Sequence, residues 1–292
     1  MQSFCVKGVW ILTVKMKANA KINLSLYISG KREDGYHFID TLMQSVSLFD
    51  SVKLKKADEI TIKCSKKELA TEDNLGFKAA KLFFKETGIN GGVKIYIKKR
   101  IPEAAGLGGG SADAAAVIVG LNKLYGANLS QEKMEEMTAV LGADVPFFIK
   151  GGTQRSTGIG EILEVLSPFR TGYFVLVKKG SKPSTGEMYR LLDSKEQVLI
   201  DIDSSVKFAT QNDLNGLCNC LENSFSLVWE DKTLENRLKE FVPLGVGLSG
   251  SGPTYFAVFE DLKGAEKCYK TLKKEKIAAF LVQPIEKSLI FE

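Results

Sequence analysis

The chain has 292 residues, a net charge of +5, 44% hydrophobic residues and 26% charged residues. This length suggests one large domain or two fused ones, with enough buried surface to fold without disulfides or structural metals. The composition is that of an ordinary globular protein and excludes a disordered or fibrous chain. The mild excess of positive charge suits a phosphorylated ligand but does not by itself indicate nucleic-acid binding.

The cysteine and histidine content argues against a zinc site. The five cysteines form no Cys-x-x-Cys pair, and the chain contains a single histidine. An apolar stretch at residues 9–14 is too short for the core of a signal peptide or for a membrane span. We therefore expect a reducing, cytoplasmic compartment. Residues 1–15 are either an extension from an upstream start or a loosely ordered arm.

The first clear element is a strand at residues 20–28, where apolar and polar residues alternate strictly. Lys21 and Asn23 fall on the polar face, about 6.6 Å apart along the strand, so they could serve one site. We expect this face to be exposed to solvent. A polar turn containing Gly35-Tyr36-His37 follows.

Further elements follow in chain order. Strand patterns lie at residues 51–55, 59–64 and 93–98, and a helix at 75–86 has Asp73 or Asn74 as its N-cap and Gly88 beyond its end. A glycine-rich loop at 102–110 opens an Ala-rich helix at 111–125, and Ser130 caps the next helix, which Gly142 ends. A glycine-rich stretch at 151–160 is interpreted as a domain junction.

The second half also mixes strands and helices. Its patterns predict, in order, a strand at 173–177, helices at 184–192, 213–229 and 234–241, a strand at 255–259, a helix at 263–276 and a strand at 280–282. The fold class is therefore α+β, with one domain at residues 1–160 and a second at 161–292.

The strongest local signal for function is the loop Gly106-Leu107-Gly108-Gly109-Gly110-Ser111. Its glycines permit backbone conformations that side chains would block, and the helix after it presents unpaired N–H groups and a positive dipole end. This combination predicts a phosphate-binding loop, although a tight turn without a ligand has the same composition. The loop lacks the lysine of the Walker motif and the glycine spacing of dinucleotide-binding motifs.

A second glycine cluster, Gly247-Leu248-Ser249-Gly250-Ser251-Gly252, lies in the other half of the chain. It does not have the spacing of a nucleophile elbow. The cluster is either a hairpin turn or a second loop that flanks the same phosphorylated ligand in a cleft between the domains.

The candidate reactive side chains are Asp144, Lys21 and His37. Asp144 precedes the apolar segment 145–148, so its carboxylate is either a helix cap or a base that takes a proton from a hydroxyl group. Lys21 is either a solvated strand lysine or a partner that stabilises developing charge. His37 is either an ordinary turn residue or part of a site in which Tyr36 stacks on a base.

Four motifs together resemble those of the GHMP kinases, in order and at fitting distances. They are Ala20-Lys21-Ile22-Asn23-Leu24, Pro102-x-x-Ala105 with the loop through Ser111, Gly142-Ala143-Asp144-Val145-Pro146-Phe147-Phe148, and Gly247 through Thr254. Gly35-Tyr36-His37 and Thr71-Glu72-Asp73-Asn74-Leu75 are similar to the branch that acts on a cytidine diphosphate-linked methylerythritol.

The resemblance implies a fold and a set of roles. It implies an N-terminal half like domain 2 of ribosomal protein S5 and a ferredoxin-like C-terminal half, with ATP and substrate between them. Asp144 would be the catalytic base and Lys21 its charged partner. The implied ATP-binding residues are Asn74, Leu75, Pro102, Gly106, Leu107, Gly108, Gly109, Gly110 and Ser111. The implied substrate-binding residues are Tyr36, His37 and Tyr189 at the cytosine, Asn23 and Thr185 at the diphosphate part of the substrate cleft, and Gly250.

The implied activity is ATP-dependent phosphorylation of the substrate's 2-hydroxyl in the non-mevalonate isoprenoid precursor pathway, with Mg²⁺ accompanying the nucleotide. The expected partner is this small molecule alone, without nucleic acid or membrane, and the protein would be a monomer or a homodimer. The alternatives are another kinase of the family, of the homoserine, mevalonate or galactose type, and a non-catalytic binder of nucleotide or nucleic acid. Tyr36 and His37 argue against the other kinases because their substrates carry no base.

Overall fold

The computed structural model describes residues 5–6, 9–10, 12–196 and 198–292. The expectation of an extension at residues 1–15 therefore lies partly outside the described residues. The first long strand begins at Thr13, within that range.

The strands are β1 (Cys5–Val6), β2 (Val9–Trp10), β3 (Thr13–Lys31), β4 (His37–Ala57), β5 (Thr61–Cys64), β6 (Gly92–Lys98), β7 (Thr153–Thr157), β8 (Ile162–Val165), β9 (Tyr173–Lys178), β10 (Gly245–Leu248), β11 (Thr254–Phe259), β12 (Ala278–Val282) and β13 (Leu289–Phe291). The α-helices are α1 (Leu75–Thr87), α2 (Gly109–Tyr125), α3 (Gln131–Thr138), α4 (Val145–Lys150), α5 (Thr185–Leu192), α6 (Ile202–Thr210), α7 (Leu214–Cys218), α8 (Lys232–Lys239) and α9 (Leu262–Lys274). Short 3-10 helices lie at Lys67–Leu69, Ala139–Leu141 and Ser224–Leu227.

The first sheet is built around the long antiparallel pair β3 and β4. Its strand order is β13-β3-β4-β6-β5. Strand β6 pairs with residues 51–57 of β4, and β7 pairs with residues 41–44 of the same strand. Strand β8 pairs with the other edge of β7. Helices α1 and α2 cover one face, where Phe83 and Val117 are fully buried with Leu54 of β4. These helices hold the glycine loop at residues 102–110 next to the centre of β3.

The second sheet has the strand order β10-β11-β9-β12, and every neighbouring pair is antiparallel. The chain order β9, helices, β10, β11, α9, β12 is the ferredoxin-like arrangement that the resemblance implied. One face of this sheet packs against α8 and α9. The other face packs on β3, where Phe174 and Leu176 share a buried cluster with Ile22 and Leu24.

The expectation that Lys21 and Asn23 face solvent is wrong. Their exposed fractions are 4% and 2%, although the apolar residues between and beside them point to the opposite side of β3, as predicted. The reason is that the glycine loop and Phe148 of α4 cover the polar face. Alternation within one strand cannot reveal a second layer that comes from distant segments.

The predicted helix at residues 213–229 is also wrong in extent. Only α7 and the 3-10 turn at Ser224–Leu227 are helical, because Asn223 adopts an extended conformation between them. Its side-chain amide donates to the carbonyl groups of Leu248 and Gly250 at 2.8 and 2.9 Å. A contact with the second glycine cluster thus replaces a continuous helix.

Most other predicted elements are present, and several were not predicted. Helix α1 begins after Asn74, whose side chain accepts from the Gly76 N–H, and Gly88 ends it. The elements that the patterns missed are β1, β2, β7, β8, β10, β13, α4 and α6, and only residues 51–55 of β4 were predicted. The division of the chain after residue 160 stays a prediction. Strand β13, at the end of the chain, pairs with β3 of the first sheet.

In the described part of the chain, no helix is both long and apolar enough to cross a membrane.

Candidate active site

The glycine loop forms the N-terminal end of α2, as predicted. Gly108 is the N-cap residue with φ +68°, a left-handed conformation that favours glycine. The Ala112 N–H donates to the Gly108 carbonyl, which closes the first helical turn. The helix itself therefore provides no partner for the N–H groups of residues 109–111, and they are available to an anion.

The two glycine clusters are in direct contact. The Ser249 hydroxyl donates to the Gly106 carbonyl at 3.0 Å, and the backbone N–H of Asn23 donates to the Ser249 hydroxyl oxygen at 3.2 Å. Gly106 has φ +74°, and a Cβ at this position would collide with the Ser249 carbonyl oxygen. Ser249 thus joins both loops to β3, and the contact requires glycine at position 106.

We predict that Gly106→Ala lowers the free energy of unfolding by about 1–3 kcal/mol, because the new methyl group requires both a strained φ and a backbone shift. Urea denaturation of the variant and wild type measures this loss. Gly110→Ala is the matched control for stability, since its Cβ would lie 3.5 Å from Leu75, an ordinary contact distance. Equal stability of the two variants would contradict the prediction.

Lys21 and Asp144 meet beside the glycine loop. The Lys21 Nζ lies 3.4 Å from Asp144 Oδ2 and donates to Asn23 Oδ1 at 2.7 Å. Asn23 in turn donates from Nδ2 to the Thr41 hydroxyl at 2.9 Å. The Lys21 side chain is 5% exposed and the Asp144 side chain 42% exposed, so the ammonium is fixed and the carboxylate is accessible.

Asp144 occupies the N-cap position of α4, but its side chain makes no capping hydrogen bond. Burial, followed by the charge of Asp144, raises the pKa of Tyr189 to about 12. The Asp144 carboxylate and the Tyr189 ring both line the same cavity. The Asp144 side chain is thus not a helix cap, and its role toward a ligand stays a prediction.

Two adjoining cavities meet at the glycine loop. One, of about 560 Å³, is lined by Lys21, Asn23, Asp144, Thr185, Tyr189 and Gly250, among others. We call it the acceptor cavity. The other, of about 690 Å³, is lined by Asn74, Leu75, Pro102 and the whole loop from Gly106 to Ser111, and we call it the nucleotide cavity. Gly106, Gly108 and Ser111 line both cavities.

The structure places Tyr36 and His37 outside the lining of both cavities. The Tyr36 side chain is exposed, at 61%. The His37 ring stacks on Tyr189 with 4.6 Å between the ring centres, and its Nε2 lies 2.5 Å from Asp193 Oδ1. His37 thus does not line the acceptor cavity itself but stacks on Tyr189, which does.

A buried ion triad lies beneath the glycine loop, and the sequence interpretation missed it. Lys99 Nζ lies 2.5 Å from Asp50 Oδ2 and 2.7 Å from Asp113 Oδ2, and all three side chains are at most 4% exposed. Asp50 also accepts from the backbone N–H groups of Arg100 and Ile101. Burial raises the pKa of Asp113 to about 7, with Lys99 opposing the shift and Asp50 adding to it. The triad joins β4, the segment that follows β6 and the N-terminal part of α2.

Comparison with known proteins defines the class of the protein. Residues 74–152 match the model of the GHMP kinases N terminal domain, and residues 211–278 match that of the GHMP kinases C terminal domain. The chain belongs to the GHMP kinase family. The predicted family, the α+β two-domain architecture and the kinase class are thereby confirmed.

Two relatives of high sequence identity carry the same name. The 4-diphosphocytidyl-2-C-methyl-D-erythritol kinase of Clostridium beijerinckii is 39% identical over 280 residues, which cover 93% of this chain and 100% of the relative. The enzyme of the same name from Clostridium perfringens (strain SM101) is 42% identical over 269 residues, covering 89% and 93%.

Two solved structures have the same fold as this chain. A crystal structure of a 4-(cytidine 5'-diphospho)-2C-methyl-D-erythritol kinase has a TM-score of 0.78 and 30% identity, and the match covers 92% of this chain and 98% of that one. A homoserine kinase from Cytophaga hutchinsonii has a TM-score of 0.76 at 17% identity, covering 99% and 100%, which shows a shared fold alone.

Proposed function

We propose that this protein transfers the terminal phosphoryl group of ATP to the 2-hydroxyl of 4-diphosphocytidyl-2-C-methyl-D-erythritol, a step of the non-mevalonate isoprenoid precursor pathway. The observation that carries the proposal is the 3.4 Å contact between Lys21 and Asp144 in a cavity that adjoins the glycine loop. The curated relatives, which match about nine-tenths of the chain, support the identity of the acceptor.

Phosphoryl transfer depends mainly on alignment and on stabilisation of charge. The N–H groups at the start of α2 hold the phosphates of ATP, with Asn74, Leu75 and Pro102 around the nucleoside side of the cavity. Asp144 accepts the proton of the attacking hydroxyl group. Lys21, fixed by Asn23, stabilises the charge that develops during transfer.

Tyr36, His37 and Tyr189 recognise the cytosine of the acceptor, and Asn23, Thr185 and Gly250 lie along the rest of it. The stacked His37 and Tyr189 rings support this assignment, because they present an aromatic surface at the edge of the acceptor cavity. The contact of His37 Nε2 with Asp193 Oδ1 orients the imidazole ring.

When bound together with ATP, Mg²⁺ would supply positive charge that offsets the charge of the phosphates. Mg²⁺ in such sites is held largely by phosphates and water, with few protein ligands. The donor set fits this mode, because the Ser111 hydroxyl lines the nucleotide cavity beside the glycine loop and would hold the ion together with the phosphates. We further propose that the protein acts in the cytoplasm as a monomer or homodimer, without nucleic acid or membrane.

A transfer assay tests the proposed function. Labelled ATP is supplied with the cytidine diphosphate-linked methylerythritol, homoserine, mevalonate or galactose, and we expect a labelled product with the first alcohol only. CDP should also protect the protein against limited proteolysis, because it fills the base-binding part of the acceptor cavity. Transfer to another of these alcohols, or tight ATP binding with no labelled product, would refute the proposal.

A further inference from the structure

The acceptor cavity carries more positive than negative charge. Its charged lining residues are three lysines, Lys21, Lys178 and Lys182, and one carboxylate, Asp144. Lys21 is paired with Asp144. Among the described residues, no carboxylate lies within ion-pair distance of Lys178 or Lys182. Two positive charges in this cavity are therefore not balanced by the protein.

Both lysines belong to one wall of the cavity. Lys178 is the last residue of β9, where it pairs with Thr254 of β11 and Ala278 of β12. Lys182 follows four residues later, and its Nζ donates to the Pro183 carbonyl at 3.1 Å. This wall is thus anchored at one end by the second sheet.

The other end of the wall is joined to the second glycine cluster. Lys182 Nζ lies 3.4 Å from the Thr185 hydroxyl, which lies 3.3 Å from the Ser251 hydroxyl. Burial lowers the pKa of Lys182, so its ammonium group is already partly removed from water. A cation that has lost hydration and has no carboxylate partner gains free energy when an anion arrives.

We infer that Lys178 and Lys182 bind the diphosphate group of the acceptor substrate. The inference rests on the proposed function and adds residues to it that neither the motifs nor the comparisons assign. A diphosphate esterified at both ends carries one negative charge on each phosphorus, which matches the two unbalanced lysines. The hydroxyl groups of Thr185 and Ser251 add hydrogen-bond donors on the same wall.

The position of the lysines favours the acceptor over ATP as the source of the anion. Both line the acceptor cavity, and neither lines the nucleotide cavity, where the glycine loop provides backbone donors for phosphate. The diphosphate of the acceptor lies between its cytosine and its methylerythritol. Lys178 and Lys182 occupy the same cavity as Tyr189, at the proposed base site, and Asp144, at the proposed reacting hydroxyl.

The test compares Lys178→Gln, Lys182→Gln and the double variant with Lys179→Gln. Lys179 is exposed and adjacent in the chain but lines neither cavity, so its variant controls for the loss of one positive charge. Steady-state kinetics give KM for the acceptor and for ATP, and calorimetry gives Kd for CDP and for cytidine. We expect each cavity lysine to contribute roughly tenfold to KM for the acceptor and to Kd for CDP.

KM for ATP and Kd for cytidine show whether a variant has lost the diphosphate contact alone or binding in general. KM for ATP and Kd for cytidine should stay within about twofold of wild type, because neither ligand uses the two lysines. The inference would be overturned if Lys178→Gln and Lys182→Gln had the same kinetic and binding constants as Lys179→Gln. It would also be overturned if these variants raised KM for ATP but left KM for the acceptor unchanged. If wild type itself neither binds CDP nor phosphorylates the acceptor, the proposed function fails and the inference fails with it.

Discussion

Asp144→Asn is expected to lower kcat by about a thousandfold, the contribution of a well-placed general base. The substitution keeps the size of the side chain and its place 3.4 Å from Lys21, but the amide cannot accept the hydroxyl proton. Lys21 also loses the negative charge that balances it. The measurement is the rate of product formation with saturating ATP and acceptor.

Binding of ATP should survive this change, because the glycine loop that we propose to hold the phosphates would do so with backbone N–H groups. We expect Kd for ATP, measured by calorimetry, to stay within about twofold of wild type. Asp203→Asn is the control for the loss of a carboxylate, since Asp203 is an exposed ion-pair partner of Arg155 on the surface. If Asp144→Asn retained turnover within tenfold of wild type, Asp144 would not be the base.

Lys99→Met is expected to have the largest effect on stability, a loss of about 3–5 kcal/mol in the free energy of unfolding. Removing the ammonium leaves Asp50 and Asp113 buried next to each other without a cation. Urea denaturation at pH 7 measures the loss. The loss should shrink at pH 5, because the two carboxyl groups can then be neutralised by protonation.

Asp113→Asn is the variant matched to Lys99→Met. It should change the free energy of unfolding only slightly, and this change should depend on pH in the opposite direction to that of Lys99→Met. The pKa of Asp113 is raised from 3.8 to about 7, so its contribution to stability is complete below about pH 4 and is lost as the pH rises to about 7. Wild type should therefore lose about 2 kcal/mol between pH 5 and pH 8 that Asp113→Asn does not lose. Equal destabilisation by Lys99→Met and Asp113→Asn, or identical pH profiles of wild type and Asp113→Asn, would show that the triad is not organised as described.

The sequence predicted the parts of the site that depend on local signals. The glycine run before an Ala-rich helix indicated the phosphate loop, and Asn74 before a helical pattern indicated the start of α1. The meeting of Lys21 with Asp144 followed from the resemblance of separate motifs. Their predicted roles, and those of the other candidate residues, stay predictions.

The features that the sequence did not reveal all depend on contacts between distant segments. Asp50, Lys99 and Asp113 each have the appearance of an ordinary charged residue, and only the fold brings them together in a dry interior. Lys178 and Lys182 stand in a lysine-rich stretch of the kind usually interpreted as a solvated surface. Burial of a charge has no signature within a short window of sequence, because it depends on which elements cover it.

The return of β13 to the first sheet has a consequence for biosynthesis. Ser288, just before β13, accepts at its carbonyl from the Asn19 N–H at 2.8 Å, and its hydroxyl lies 2.7 Å from that of Ser45. The strand that carries Lys21 therefore acquires its last neighbour only after the whole ferredoxin-like half has been translated. During synthesis on the ribosome this edge of β3, at residues 16–19, stays unpaired, and we expect contacts that span nearly the full length of the chain to form late in folding.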